Sequence, residues 1–284
     1  EGLLDDASLE TFWDWSRIKA GAIQTGNNFA YAHSLIVMGR LYKEPEWTDL
    51  GQRTAVAIEQ AAWTGRELYA DTVVRDQDNR LCPGVDFSIP MNAMALWSEL
   101  IPQERADRVW RQLRNFHPQT MDRPIFDYET NLVRSNLYGL LYRFEHQGRI
   151  GDIAGLLQDL KEAYLPMLDR GQTCLGEHLG YMASLCHGLN GYVAHLLSRY
   201  VAGIELPAHP GGEIVIRPQP SHLPWCQARV PWMGGHVQVW WSRTDKGCRT
   251  IVSLPQGQKG NYIDPVTGET INFTDALQRE DSRS

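Results

Sequence analysis

Residues 184–217 read SLCHGLNGYVAHLLSRYVAGIELPAHPGGEIVIR, and their texture changes midway. Up to Val201 the apolar residues recur at three- and four-residue spacings. That pattern predicts a helix over 185–201, ended by Gly203. Beyond Pro207 the spacing changes to alternation, and EIVIR at 213–217 reads as a strand. HVQVWW at 236–241 and RTIVSL at 249–254 alternate in the same way. The turn signals HPGG (209–212), GG (234–235) and DKG (245–247) separate these runs. The junction therefore divides a helical part, 1–204, from a small antiparallel β domain, 205–276, with a polar tail at 277–284.

Upstream the helices come in pairs. The spacing predicts helices over 28–42 and 47–63, divided by Pro45, and over 91–100 and 103–116, divided by Pro102. A third pair, 132–147 and 150–165, is broken by Gly148 and Gly151. Short links between paired helices imply antiparallel hairpins. The class expected is mainly α with a following β domain.

Composition narrows the function. The 284 residues are 43% hydrophobic and 21% charged, an ordinary globular balance. A net charge of −7 argues against nucleic acid, which needs clustered Lys and Arg. No apolar run is long enough to span a membrane. The start, EGLLDDASLE, has neither a basic nor an apolar leader region, so no signal peptide is expected. Without an initiator Met the chain reads as processed, trimmed or cut from something longer, and the compartment stays open: cytoplasmic if that start is genuine. The oligomeric state is equally open. The five cysteines are scattered, with no CxxC, and are expected to be buried free thiols rather than a zinc site or a disulfide framework. HExxH, GxSxG and Gly-rich phosphate loops are absent, and no metal or cofactor is expected.

Candidate chemistry centres on carboxylates. Glu177 lies among Gly171, Gly176 and Gly180, on the loop before the 185–201 helix. It reads either as a base acting on a sugar-bound water or as an ordinary loop acid. His187, ten residues on, reads as a sugar-hydroxyl partner or as part of a helical first turn. In TFWDWS, Trp13, Asp14 and Trp15 combine an acid with two indoles, one wall of a sugar pocket or a buried Trp beside an exposed acid. Asp71 and Asp86 flank a long polar loop, 69–88, and Asp127 and Glu129 form a second acidic pair; both read first as structural. His33, His117, His146, His195 and His236 share no ligand spacing.

Over 184–241 the order SRYVAGI, IRP, LPW…A…VP and then G-x-V-x-V-x-W resembles the end of α-L-rhamnosidases of glycoside hydrolase family 78. GQTCLGE (171–177) is similar to that family's Gly-Ala-Thr-Thr-x-Trp-Glu motif. FWDWS (12–16) is similar to its Asp-Trp segment, and SIPMNAMAL (88–96) to its Ser-x-His-x-Asn-Ala stretch. The resemblance covers most of 12–254. It implies an (α/α)6 six-hairpin toroid followed by a β-sandwich. The roughly eight helices counted here are too few for a closed toroid, so its N-terminal side is expected to be incomplete.

The resemblance further implies inverting hydrolysis of terminal α-L-rhamnosides without a cofactor. Glu177 would be the general base, His187 a rhamnose contact and Trp15, with Trp13 and Asp14, a pocket wall. Two positions depart from the pattern: Gly176 stands where the family usually has Trp, and Pro90 where it often has His. The family's general acid lies upstream of the Asp-Trp segment in a motif that EGLLDDASLE does not resemble. The acid is therefore expected upstream of this chain or missing from it. The alternative is a non-catalytic carbohydrate-binding relative or an inactive C-terminal fragment.

Overall fold

The computed structural model describes residues 2–5, 23–116, 126–127 (backbone), 132–179, 184–245 and 247–279. The chain forms two units: Glu1–His146 with Asp159–Asn190, and Gln147–Gln158 with Gly191–Ser284.

The first unit opens with a helical hairpin, α1 (Thr25–Tyr42) and α2 (Pro45–Ala62). Lys43 adopts the left-handed conformation that ends α1, and Pro45 sits in the first turn of α2, where its missing N–H costs nothing. Phe29, Ala32 and Ile36 of α1 are buried at helical spacing, as are Ala55, Ile58 and Ala62 of α2. Gly51 makes the close approach possible: a Cβ there would lie 2.7 Å from the Ala32 carbonyl oxygen and 2.8 Å from Ile36 Cγ1.

The next hairpin is α3 (Ile89–Ser98) and α4 (Gln103–Leu113). The Ser88 hydroxyl caps α3 by accepting the Met91 N–H at 3.4 Å. Almost every residue of α3 is buried, as expected of a helix apolar on all sides, whereas α4 buries only Val109 and Leu113. Asn92 anchors the loop before α3: its amide accepts the Tyr69 N–H at 2.8 Å and donates to the Tyr69 carbonyl at 3.0 Å.

Short strands lie at the starts of these helices. β1 (Ile23–Gln24), β2 (Thr72–Arg75) and β3 (Leu81–Pro83) form one antiparallel sheet; β4 (Phe87–Ser88), β5 (Phe126–Asp127) and β6 (Leu132–Val133) form another, in the order β4-β6-β5. Because β4 and β6 run parallel, the start of α3 is brought beside that of α5 (Leu137–Arg149). The helix expected from 132 therefore begins later, since Leu132 and Val133 pair as a strand. The following helix, α6 (Ile153–Asp169), runs past its expected end with Pro166 inside it. Arg143 and Asp159 form a fully buried ion pair, Nε to Oδ2 2.8 Å, and the Arg143 guanidinium also donates to the carbonyls of Leu113 and Arg114.

The single helix expected over 185–201 is not formed. A 3-10 turn (Gly188–Gly191) leads to a short α7 (Tyr192–Leu196) and a π turn (Leu197–Val201), where the Ala202 N–H reaches the Leu197 carbonyl. Gly188 and Gly191 weaken the helix, and the Asn190 side chain donates to the Gly176 carbonyl.

The second unit contains two four-stranded sheets. β7 (Ile204–Glu205), β8 (Ile214–Ile216), β9 (Trp225–Trp232), β10 (Gly235–Thr244), β11 (Gly247–Ser253), β12 (Lys259–Ile263), β13 (Thr270–Thr274) and β14 (Ala276–Arg279) arrange as β14-β11-β10-β9 and β13-β12-β8-β7. The domain expected to be wholly antiparallel is not, because β12 pairs with β8 in parallel. The polar end expected from 277 is also shorter, since Ala276–Arg279 pairs with β11. Alternation buries Val237, Val239 and Trp241 of β10. Trp241 donates its indole N–H to the Val201 carbonyl at 3.1 Å, and Thr250 of one sheet meets Tyr262 of the other, hydroxyl to hydroxyl, at 3.3 Å. Met233 and Gly234, both at positive φ, make the two-residue turn between β9 and β10.

Candidate active site

Glu177 sits on a turn pinned from several directions. Its own N–H donates to the Ser184 carbonyl at 3.1 Å, and the His187 N–H donates to the Leu175 carbonyl at 2.8 Å. The Asn190 amide holds the Gly176 carbonyl, immediately before the acid, and Tyr164 donates its hydroxyl to the Asn190 carbonyl at 3.3 Å. On the other side Asn136, just ahead of α5, accepts the Leu179 N–H at 2.9 Å and contacts His178 Nδ1 through its amide nitrogen at 2.7 Å. The start of α5 thereby positions the carboxylate.

The side chain lies between two imidazoles. Glu177 Oε2 is 3.9 Å from His187 Nδ1 and 4.0 Å from His178 Nε2. The carboxylate is 22% exposed, so it is sheltered yet reachable by water. His187 is more open and also approaches the Ser184 hydroxyl at 3.3 Å; His178 is buried. A carboxylate held this way, sheltered but reachable by water, can accept a proton from water.

The structure places Glu177 and His187 side by side, and His187 precedes the first helical turn instead of lying within it. Trp13, Asp14, Trp15 and Glu129 lie outside the described residues. His178 was missed by sequence reasoning. Its only local signal is adjacency to Glu177, because its orientation depends on Asn136, far away in the chain.

Asp71, expected to be structural, is buried at 1% exposure. Ser88 donates its hydroxyl to Asp71 Oδ1 at 2.8 Å, while Oδ2 has no hydrogen-bond partner. Burial, chiefly, pushes the carboxyl up to about 7; the Ser88 hydrogen bonds oppose that shift and the Asp86 charge adds to it. Its backbone ties two helix starts together, accepting the Thr25 N–H at 3.0 Å and donating to the Asp86 carbonyl at 2.9 Å.

The expectation of buried thiols is corrected. All five cysteines are free, but only Cys248 is buried; Cys174 and Cys186 are exposed, and Cys82 and Cys226 are half-buried. Glycines and polar residues leave the turn around Glu177 without an apolar cover, so its thiols face water. Among the described residues no group of three or more His, Cys, Asp or Glu is placed to hold a metal ion, and no helix is long and apolar enough to cross a membrane.

No protein-family model matches the chain, and no curated protein does either. Solved structures do. The chain is similar to a GH78-family rhamnosidase of Bacillus sp. GL1 at 20% identity and a TM-score of 0.70, covering 89% of this chain and 27% of that one. It is similar to the α-L-rhamnosidase of Dictyoglumus thermophilum at 17% identity and a TM-score of 0.71, covering 96% and 34%. Against the α-L-rhamnosidase of Aspergillus terreus the values are 14%, 0.64, 98% and 32%. The chain thus spans about a third or less of those proteins. At these identities the likeness establishes the fold: this chain is built like part of three rhamnosidases.

Proposed function

We propose that this chain is part of an α-L-rhamnosidase-like glycoside hydrolase in which Glu177 serves as general base of an inverting reaction. The observation that carries the reading is a sheltered carboxylate, pinned on its turn between His178 and His187, in a fold like that of three rhamnosidases. On the same reading the helical hairpins belong to an (α/α)6 toroid and the two C-terminal sheets to a β-sandwich.

In this mechanism Glu177 takes a proton from water as that water attacks the anomeric carbon. The glycosidic C–O bond breaks, and a second carboxyl group, not identified among these residues, protonates the leaving oxygen. His187 contacts a rhamnose hydroxyl; Trp15, with Trp13 and Asp14, walls the sugar. No cofactor takes part.

Hydrolysis of 4-nitrophenyl α-L-rhamnopyranoside by the chain and by Glu177→Gln tests this. The expected loss in the variant is about 10²–10⁴-fold, the usual contribution of general base catalysis, and the first-formed sugar should be the β anomer. Equal rates, or an α first product, would sink the assignment. Gly176 supports a second reading, a carbohydrate-binding relative, since no indole stands before the acid. Saturable rhamnose binding without turnover in either protein would favour it.

A further inference from the structure

The turn that carries Glu177 also carries two cysteines. Cys174 and Cys186 are both exposed, and the Cys174 thiol is near enough to Cys186 to hold it above its ordinary range. Each sits one residue ahead of a partner in the hydrogen bond that closes the turn, from the His187 N–H to the Leu175 carbonyl at 2.8 Å. The two thiols therefore occupy opposite arms of one short loop, with the acid between them.

We propose that Cys174 and Cys186 form a reversible disulfide that clasps the turn carrying Glu177. A low-molecular-weight disulfide, such as oxidised glutathione, is the oxidant. One cysteine thiolate attacks a glutathione sulfur; the glutathione S–S bond breaks and one glutathione thiolate leaves. The second cysteine thiolate then attacks the protein sulfur of the mixed disulfide, forming the internal bond and expelling the other glutathione thiolate. The protein loses two protons and two electrons, and the oxidised glutathione gains the electrons. Exposure gives the oxidant access, and the short loop gives the second thiol a high effective concentration. The neighbouring Cys174 thiol holds Cys186 above its ordinary range, so exchange through Cys186 speeds up on the alkaline side.

The bond constrains the loop in a way that hydrogen bonds to water-exposed backbone do not, since it removes open conformations outright. It is independent of whether the chain hydrolyses rhamnosides.

The test uses the intact chain incubated with oxidised glutathione near pH 8.5, about the ordinary thiol pKa, then alkylated and digested with trypsin. No Lys or Arg falls between Arg170 and Arg199, so both cysteines lie in one peptide, 171–199. That peptide should appear lighter by two hydrogens, unalkylated and without glutathione. In Cys174→Ser and in Cys186→Ser the remaining cysteine should keep its glutathione adduct. Amide exchange at Glu177 and His187 should slow in the oxidised chain and recover on reduction. The internal bond should also form faster in the folded chain than in the same chain in denaturant. Stable glutathione adducts on the wild-type peptide would overturn the proposal. So would pairing of either thiol with another cysteine, unchanged exchange at the two amides, or a rate no faster than in denaturant.

Discussion

The amide of Asn136 fixes which nitrogen of His178 carries the proton. Asn136 Oδ1 is identified by its two backbone donors, Leu179 N–H at 2.9 Å and Leu137 N–H at 3.0 Å. Its Nδ2 must then be the atom 2.7 Å from His178 Nδ1, and an amide nitrogen only donates. Nδ1 is therefore the acceptor, and the neutral ring holds its proton on Nε2, the nitrogen nearest the Glu177 carboxylate.

Asn136→Ala leaves the buried Leu179 N–H and the His178 ring without this partner. The expected destabilisation is about 1–3 kcal/mol, the cost of a buried polar group left unsatisfied. Thermal unfolding checks the stability, and a changed His178 imidazole nitrogen shift in NMR checks the tautomer. Asn136→Asp retains the acceptor and loses the donor, so it should restore backbone order without the original ring signature.

Asp71 gives the molecule a pH-dependent weakness. Its carboxyl titrates at about 7 in the fold against an ordinary 3.8, so the folded state holds the proton more tightly. This group's contribution to stability is fully present below its unfolded value and is lost as pH rises through about 7. Asp71→Asn keeps an oxygen for the Ser88 hydroxyl and removes the charge. Melting temperatures of wild type and variant should differ least below about pH 4, draw apart as pH rises towards 7 and keep that larger gap above it, with the variant higher. A gap that does not change with pH would contradict the assignment.

Arg143→Met removes the guanidinium bonded to the fully buried Asp159 carboxylate. Breaking one side of such a pair costs about 3–5 kcal/mol. Arg143→Met combined with Asp159→Leu should be less damaging than the single change, because neither charge of the buried pair remains. Denaturant titration of the three proteins reads the difference.

Gly203→Ala should destabilise the second unit. Gly203 has φ +81, and an added Cβ would strike the backbone of Arg217 and Pro218, which cannot swing aside as a side chain can. A left-handed non-glycine residue alone costs about 1–3 kcal/mol. Trp241, fully buried and bonded to the Val201 carbonyl, supplies a fluorescence signal for this unfolding.

The features legible in the sequence were those enforced locally. Pro45 and Pro102 marked helix starts because proline removes a donor wherever it falls, and alternation marked β10 because its inner and outer faces differ. Apolar spacing misread 185–201, where Gly188 and Gly191 and the Asn190 side chain outweigh helical propensity. At the site, Glu177 and His187 share one turn and could be paired from sequence. His178 depends on Asn136, Asp71 on Ser88, and the start of α5 on a parallel pairing with β4. Such long-range partners leave no periodic trace, which is why the supporting shell around the acid stayed invisible.

The parallel pairing of β8 with β12 sets an order of events during synthesis. Ile214–Ile216 emerges early, yet the neighbour that covers one of its edges, at 260–262, emerges only after β9, β10 and β11 have been made. Until then only β7 pairs with that strand, and its other edge stays open. A nascent chain stalled before residue 260 would expose an Ile-Val-Ile ribbon ready to capture a foreign strand, so the interval between synthesis of residues 216 and 260 is when this strand is most exposed to misassembly.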